Sequence, residues 1–454
     1  MTFINIANIV LTAITAILSL FVVHYIVFGV VGIFAKRKFP KTDEKLKYGL
    51  IIPARNEELV VGNLIDSIKK SKYPQDKLQI FVIAHNCTDN TAEICRKAGA
   101  TVYEYNNPDE CTMGYAFRYL FDRIKEDYGI ENYDGFFLFN ADNIVDEYFF
   151  EKMNDAFVAE NREHVITSYR NSKNFGSNPI SALYGLYFST GCIFEARGWT
   201  ALGCSTRVQG TGYVINSNLV KDGWKYVTLT EDWEFTADQL LSDNKVVYCD
   251  EAMFYDEQPT SLKVTFRQRL RWQKGHLLVC LTRFKNCIQA IFKPKKKGGG
   301  KHKFSLYDLS VNMSPILVTS FFVSLLQFII TAITPIFSGN FDAYKGWLIS
   351  SGITLAWAYV FSMSTAILLY FLERKRIRKV SLPLKILSCL LFPFFMALSI
   401  ILELIALFDK NVGWKSIPHS DTTNFDELHD DMDKARGKKK TDDLEEAKDE
   451  VAAD

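Results

Sequence analysis

Three stretches of the chain, Met1 to Ala35, Leu309 to Phe341 and Gly346 to Leu372, contain no Asp, Glu, Lys or Arg. Each is long enough to cross the apolar core of a bilayer, which takes about 20 residues. A single water-soluble globule is excluded. The average composition hides this, because 53 Lys and Arg balance 52 Asp and Glu for a formal net charge of +1. That balance excludes an acidic disordered chain and a strongly basic nucleic-acid binder, so no nucleic acid is expected as a partner.

The first run has no basic segment ahead of it and no small-residue cleavage site behind it, and reads as a retained anchor. Basic flanks set the orientation: Lys36-Arg37-Lys38 after the first run, Lys293 to Lys303 before the second, and Glu373 to Lys379 after the third. Positive flanks stay inside, which places residues from about Lys36 to Asp308 in the cytosol and the short loop Ser338 to Lys345 outside. A fourth apolar run, Leu382 to Phe408, is interrupted by Lys385, Pro393 and Glu403. It either spans or forms a broken re-entrant or interfacial element. From Asp421 the tail is highly charged and is expected to be disordered. The nine cysteines form no C-x-x-C pair, so neither a disulfide framework nor a structural zinc site is expected.

Within the cytosolic section, strand-like and helix-like patterns alternate. Lys47 to Ala54, Leu78 to Ala84, Thr101 to Tyr105 and Phe136 to Phe139 are buried-strand candidates with helical patterns between them. Such alternation implies βαβ units and a largely parallel sheet, whose ligands bind beyond the carboxyl ends of the strands.

Polar clusters stand at those ends. Pro53-Ala54-Arg55-Asn56-Glu57 follows the first strand, His85-Asn86-Cys87-Thr88-Asp89 the second, and Asn140-Ala141-Asp142-Asn143 the strand at Phe136. Further on come Thr230-Glu231-Asp232-Trp233 and Gln268-Arg269-Leu270-Arg271-Trp272. Singly, each has a plain structural reading. An Asp at a helix start is usually an N-cap worth about 1 kcal/mol, and Arg-Leu-Arg-Trp beside a bilayer is usually an interfacial anchor.

Together and in this order they resemble the membrane-embedded family 2 glycosyltransferases of the cellulose-synthase-like and hyaluronan-synthase-like kind, including their T-E-D and Q-x-x-R-W motifs. The resemblance runs to about Phe408. It implies an α/β fold, a cytosolic GT-A (Rossmann-like nucleotide-sugar) domain combined with α-helical transmembrane segments and amphipathic interface helices. The expected parts are a transmembrane helix (1–35), the glycosyltransferase domain (36–261), interface helices with a basic linker (262–305), a C-terminal membrane region (306–408) and the tail (409–454).

The resemblance also implies roles. Pro53, Glu57, His85, Asp89 and Asn140 would face the UDP moiety, with His85 standing where many members have Asp. The metal motif D-x-D reads Asn140-Ala141-Asp142 here, leaving Asp142 as the ligand for Mg²⁺ or Mn²⁺, ions suited to hard oxygen ligands and a diphosphate. Asp232 would be the base that deprotonates the acceptor hydroxyl, with Thr230 and Glu231 beside it. Arg269 and Arg271 would clamp the departing diphosphate, with Gln268 nearby. Trp272 and the turn Gly210-Thr211-Gly212 would line the acceptor site. Trp414-Lys415-Ser416-Ile417-Pro418-His419 resembles the segment that members fold back over the active-site mouth, which requires a cytosolic tail.

The expectation is thus an inverting, processive hexosyltransferase in the plasma membrane. It would polymerise a UDP-sugar, first choice UDP-glucose, into a β-glucan and pass the growing polysaccharide across the lipid. Rival readings are a hyaluronan- or chitin-like synthase using a UDP-N-acetylhexosamine, a non-processive transferase acting on a polyprenyl phosphate, and a transporter subunit with a degenerate sugar-nucleotide domain.

Overall fold

In a computed structural model the chain is described over residues 3–292, 305–313, 316–337, 341–378 and 380–436. The basic linker from Lys293 and the end of the tail lie outside the described residues.

Eight strands form one sheet: β1 Tyr48–Ala54, β2 Leu78–His85, β3 Thr101–Tyr105, β4 Gly135–Leu138, β5 Ile144–Val145, β6 Val165–Ser172, β7 Tyr213–Asn216 and β8 Val246–Asp256, in the order β3-β2-β1-β4-β7-β6-β8-β5. The helices in chain order are α1 Phe3–Phe34, α2 Val61–Lys70, α3 Thr91–Lys97, α4 Met113–Asp127, α5 Phe149–Ala159, α6 Pro179–Thr190, α7 Gly198–Ala201, α8 Glu231–Leu241, α9 Leu262–Phe292, α10 Ser305–Met313, α11 Ile316–Phe337, α12 Phe341–Leu372, α13 Leu382–Phe408 and α14 Phe425–Arg436.

The half β3-β2-β1-β4 is parallel, as the alternating pattern implied. Past β4 the sheet is mixed, because β7 runs antiparallel to both β4 and β6 while β8 is parallel to β6. Strand β1 shows why both faces are covered. Leu50 and Ile52 enter a core with α2 and α5, whereas Ile51 enters the opposite core with α4. A period of two with both sets apolar is the signature of a central, doubly covered strand. At the carboxyl ends of β1 and β2 the chain turns through Asn56 and Asn86, both at positive φ (58° and 52°), which Asn tolerates better than most residues.

Among the described residues, two helices are long and apolar enough to cross a membrane, Tyr344–Leu372 and Leu382–Phe408. The first exposes large apolar side chains, among them Leu355, Trp357 and Phe361. The second, α13, runs as one helix with Pro393 inside it. Both of its flanks bind the sheet domain. On one side Arg376 Nη2 donates to Asp250 Oδ2 at 2.9 Å and Asn171 Nδ2 donates to the Arg376 carbonyl at 2.7 Å. On the other side His419 meets Glu57.

The tail corrects an expectation. Residues 421–436 are ordered, and α14 docks on the sheet domain. Leu428 and Met432 pack with Ile144, Met253 and Tyr255, and Arg378 Nη2 donates to Asp431 Oδ2 at 2.6 Å. Its high charge does not prevent folding because apolar residues recur on one helical face.

Asp250 on β8 gathers Arg197, Arg376 and Lys36 at 2.6, 2.9 and 3.3 Å. Burial raises its pKa, but the two guanidinium groups outweigh that and hold it well below the usual carboxylate range. This knot ties the segments after α1 and α12 to the sheet.

Candidate active site

Two adjoining cavities open beyond the carboxyl ends of β1, β2 and β4, and share Met113, Asn140, Gln268 and Arg271.

The first is lined by Pro53, Arg55, Glu57, His85 and Asp142, and is closed by Trp414, Lys415, Ser416, Ile417 and His419. Parallel pairing of β1 with β2 sets Pro53 beside Ile83 and so brings the two strand-end clusters together. His85 is buried, stacks on Tyr105 at 5.5 Å and 9°, and has no hydrogen-bond partner at Nε2 among the described residues. Burial lowers its pKa, leaving the ring neutral. Glu57 has its pKa raised by burial, against the opposing effect of His419. The returning segment sits on the same side as the sheet domain, which the sequence required for a fold-back, and Trp414 lies 4.8 Å from the Arg55 guanidinium.

Asp142 and Asn140 are the oxygen groups of this cavity that could hold a divalent ion. Asp142 accepts from Asn143 Nδ2 at 3.2 Å and from the Glu257 N–H at 2.8 Å, which leaves lone pairs over on both oxygens. Asn140 Oδ1 is buried with no partner among the described residues. One carboxylate and one amide oxygen fit a hard cation that completes its shell with water and diphosphate oxygens. Among the described residues no group of three or more His, Cys, Asp or Glu stands ready to enclose a metal by itself.

The second cavity holds Thr230, Glu231, Asp232, Gln268, Arg271, Trp272 and Gly210, with Arg170, Arg207 and Glu195. The acidic pair stands at the start of α8, where unpaired N–H groups and the helix dipole favour negative charge. Glu231 is pushed up to about 8 by burial and then by the like charge of Asp232. Burial also raises Asp232, against N–H bonds and the charge of Arg271. The pair therefore holds a proton near neutrality. Arg271 is fixed by donating from Nη1 to the Leu229 carbonyl at 2.8 Å. Arg283 ties α9 to α8 through Glu234 and Asp238 at 3.1 and 3.0 Å, so base and guanidinium keep one geometry. Gly210, at φ 79°, would bring a Cβ to 3.4 Å from Asp232 Oδ2. Trp272 meets Tyr184 and Phe188 nearly edge to face.

Several expected site residues lie elsewhere. Asp89 lines neither cavity: its Oδ1 accepts from the Thr91 N–H at 3.1 Å and its Oδ2 from the Glu58 N–H at 3.2 Å, a turn-and-cap role. Arg269 is buried away from both cavities, donating from Nη1 to the Phe395 carbonyl at 2.8 Å and so joining α9 to α13. Thr211 holds the strand end, accepting from the Asn140 N–H at 2.9 Å. Gly212 packs beneath Phe254, where a Cβ would come within 2.2 Å of the ring. Arg170, Arg207 and Glu195 were missed, since none sits in a motif. Arg170 reaches the cavity by bonding Asp256 and the Gln209 carbonyl at 2.7 and 2.9 Å.

Known proteins resemble this chain in sequence and fold. Residues 46–275 match the family described as "Glycosyltransferase like family 2". A probable glycosyltransferase, YdaM of Bacillus subtilis, is 23% identical over 288 residues, covering 60% of this chain and 64% of the relative. A Staphylococcus aureus 4,4'-diaponeurosporenoate glycosyltransferase is 44% identical over 55 residues, 12% of this chain and 14% of the relative. The chain thus spans less than two thirds of these relatives' length. Among solved structures, the mannosyltransferase PcManGT of Pyrobaculum calidifontis, determined with GDP-Man and Mn²⁺, superposes with a TM-score of 0.56 at 13% identity over 90% of this chain and 100% of that one. At that identity the likeness speaks for a GT-A-like fold alone. The family match extends from the first strand through Gln268, Arg271 and Trp272, and the chain is an enzyme of glycosyltransferase-like family 2.

Proposed function

We propose that the chain transfers a hexosyl group with inversion from a UDP-sugar, first choice UDP-glucose, to the end of a growing β-glucan, and that it works processively at the plasma membrane. The observation that carries the transferase reading is the junction of the two cavities, where Arg271 borders both and Asp232 borders the second.

Asp232 takes the proton of the acceptor hydroxyl as that oxygen attacks the anomeric carbon. The bond from this carbon to the diphosphate oxygen breaks, and its electron pair leaves with the nucleotide. Arg271, a planar and permanently charged group, stabilises the charge that develops there. Mg²⁺ or Mn²⁺ held by Asp142 and Asn140 would add neutralisation of the diphosphate. Glu57 and His85 form the wall for the nucleoside. Helices α1, α11 and α12 anchor the enzyme in lipid, with α9 and α13 as interface helices.

Incubating membranes with labelled UDP-glucose, UDP-N-acetylglucosamine or GDP-mannose, then digesting with linkage-specific hydrolases, tests this reading. A high-mass product from UDP-glucose that β-glucanases degrade supports it. Exclusive use of UDP-N-acetylglucosamine refutes the glucan. A second reading, transfer to a lipid, draws on Met396 of α13, which lines the acceptor cavity. A short product extracted into organic solvent would favour it.

A further inference from the structure

The acceptor cavity continues past Asp232 into an end that no motif covers. There Arg207 and Glu195 form an ion pair, with 25% and 23% of their side chains exposed. Glu195 is presented by a π-helical turn, Gly191–Arg197, which interrupts the helix running on from α6. Turns of this kind are uncommon inside helices and often re-aim a side chain at a functional site. The Arg207 guanidinium lies 5.2 Å from the ring of Trp233, the residue after the base, and Trp233 meets His276 at 4.1 Å. The pair is therefore one indole away from Asp232.

Two facts decide what such a place binds. Arg207 has five N–H donors, and its described hydrogen bond is the one to Glu195. Glu195 supplies acceptor lone pairs at the same spot. A donor array beside an acceptor array complements neighbouring hydroxyl groups, each of which both gives and receives a hydrogen bond. An anion suits it poorly, because Glu195 already neutralises Arg207 and repels a second negative group.

We infer that Arg207 and Glu195 form a subsite for the hydroxyl groups of a neutral pyranose, the acceptor unit behind the reacting sugar, and select against phosphate-bearing acceptors. This rests on the transferase reading above and names its acceptor class. It favours a neutral glycan end over a polyprenyl phosphate.

The test uses the full-length enzyme in detergent with UDP-glucose, offering cellotetraose as the neutral acceptor and undecaprenyl phosphate as the anionic one. Wild type is expected to prefer cellotetraose. Arg207→Met should raise the KM for cellotetraose at least tenfold while moving the donor KM less than twofold. Glu195→Gln keeps the shape but frees the Arg207 charge, and should shift preference toward undecaprenyl phosphate, an effect a purely structural ion pair would not produce. An unchanged acceptor KM in Arg207→Met, or a wild-type preference for undecaprenyl phosphate, overturns the subsite and leaves the transferase reading intact. Absence of transfer by wild type from UDP-glucose to either acceptor brings down the UDP-glucose reading together with the subsite.

Discussion

His419 places Nδ1 2.9 Å from both carboxylate oxygens of Glu57, joining the tail to the first strand-end cluster across 362 positions of sequence. Neither residue is exposed, and the contact closes the cavity that holds His85 and Asp142. His419→Ala would open that wall and leave Glu57 buried without its partner. The donor KM should rise about tenfold, equivalent to about 1.4 kcal/mol, with little change in kcat. Initial rates against UDP-sugar concentration measure this, and an unaltered donor KM would mean the segment contributes nothing to donor binding.

The acidic pair predicts a pH dependence. Burial raises both Glu231 and Asp232, and the charge of Asp232 raises Glu231 further, so the pair retains a proton at pH values where exposed carboxylates have lost theirs. Only deprotonated Asp232 can act as base, so kcat/KM should climb with pH over a range above that of an exposed carboxylate. Glu231→Gln removes one of the like charges, and the acid limb should move to lower pH. Asp232→Asn should reduce transfer by about a thousandfold or more while UDP still binds. A limb that stays in place in Glu231→Gln would show that the pair does not share its proton.

Arg269 and Arg271 should separate cleanly. Arg271→Lys loses the planar, bidentate group at the cavity junction and should lower kcat by about a hundredfold with the fold retained. Arg269→Met removes the bond to the Phe395 carbonyl and should lower the unfolding temperature, with a smaller effect on kcat per folded molecule. Parallel thermal unfolding and rate measurements check the pair, and equal losses of kcat would return Arg269 to the site.

Divalent-ion dependence is the next expectation. EDTA should abolish transfer and added Mn²⁺ should restore it. Asn140→Asp supplies a second carboxylate beside Asp142 and should tighten Mn²⁺ binding, read by electron paramagnetic resonance without any substrate. Weaker Mn²⁺ binding in Asn140→Asp would place the ion elsewhere.

Much of this site was legible in the sequence because strand ends and motifs are local signals. The β1 and β2 clusters meet because the strands pair in parallel, and the alternating pattern already implied that. What was misread has identifiable causes. Arg269 and Arg271 are two positions apart on a helix, about 200° around its axis, so they cannot share a face, whereas Gln268, Arg271 and Trp272 can. Asp89 stands two residues before Thr91, the spacing of a side-chain turn. In the tail, Phe425, Leu428 and Met432 form an apolar stripe at helical spacing, masked by the charges between them. Arg170, Arg207 and Glu195 carried no local signal, since their place depends on how the returning strands β6 and β7 fold against α6.

A steric constraint joins Gly275 on α9 to Thr230 at the start of α8. A Cβ at residue 275 would fall 2.4 Å from both Oγ1 and Cγ2 of Thr230, and real Cβ atoms do not approach that closely. Thr230 is buried and belongs to the turn that presents Glu231 and Asp232. Because α8 is also clamped to α9 by Arg283, the added methyl cannot be absorbed by simple separation of the helices. Gly275→Ala should therefore displace the turn that carries the base. Misplacement by about 1 Å costs about a hundredfold in rate, so kcat should fall by roughly that factor, while UDP binding, which depends on the other cavity, changes little. Thr230→Ser removes the clashing methyl, and the double variant should recover part of the lost rate. Full activity in Gly275→Ala would show that the packing between α8 and α9 does not position Asp232.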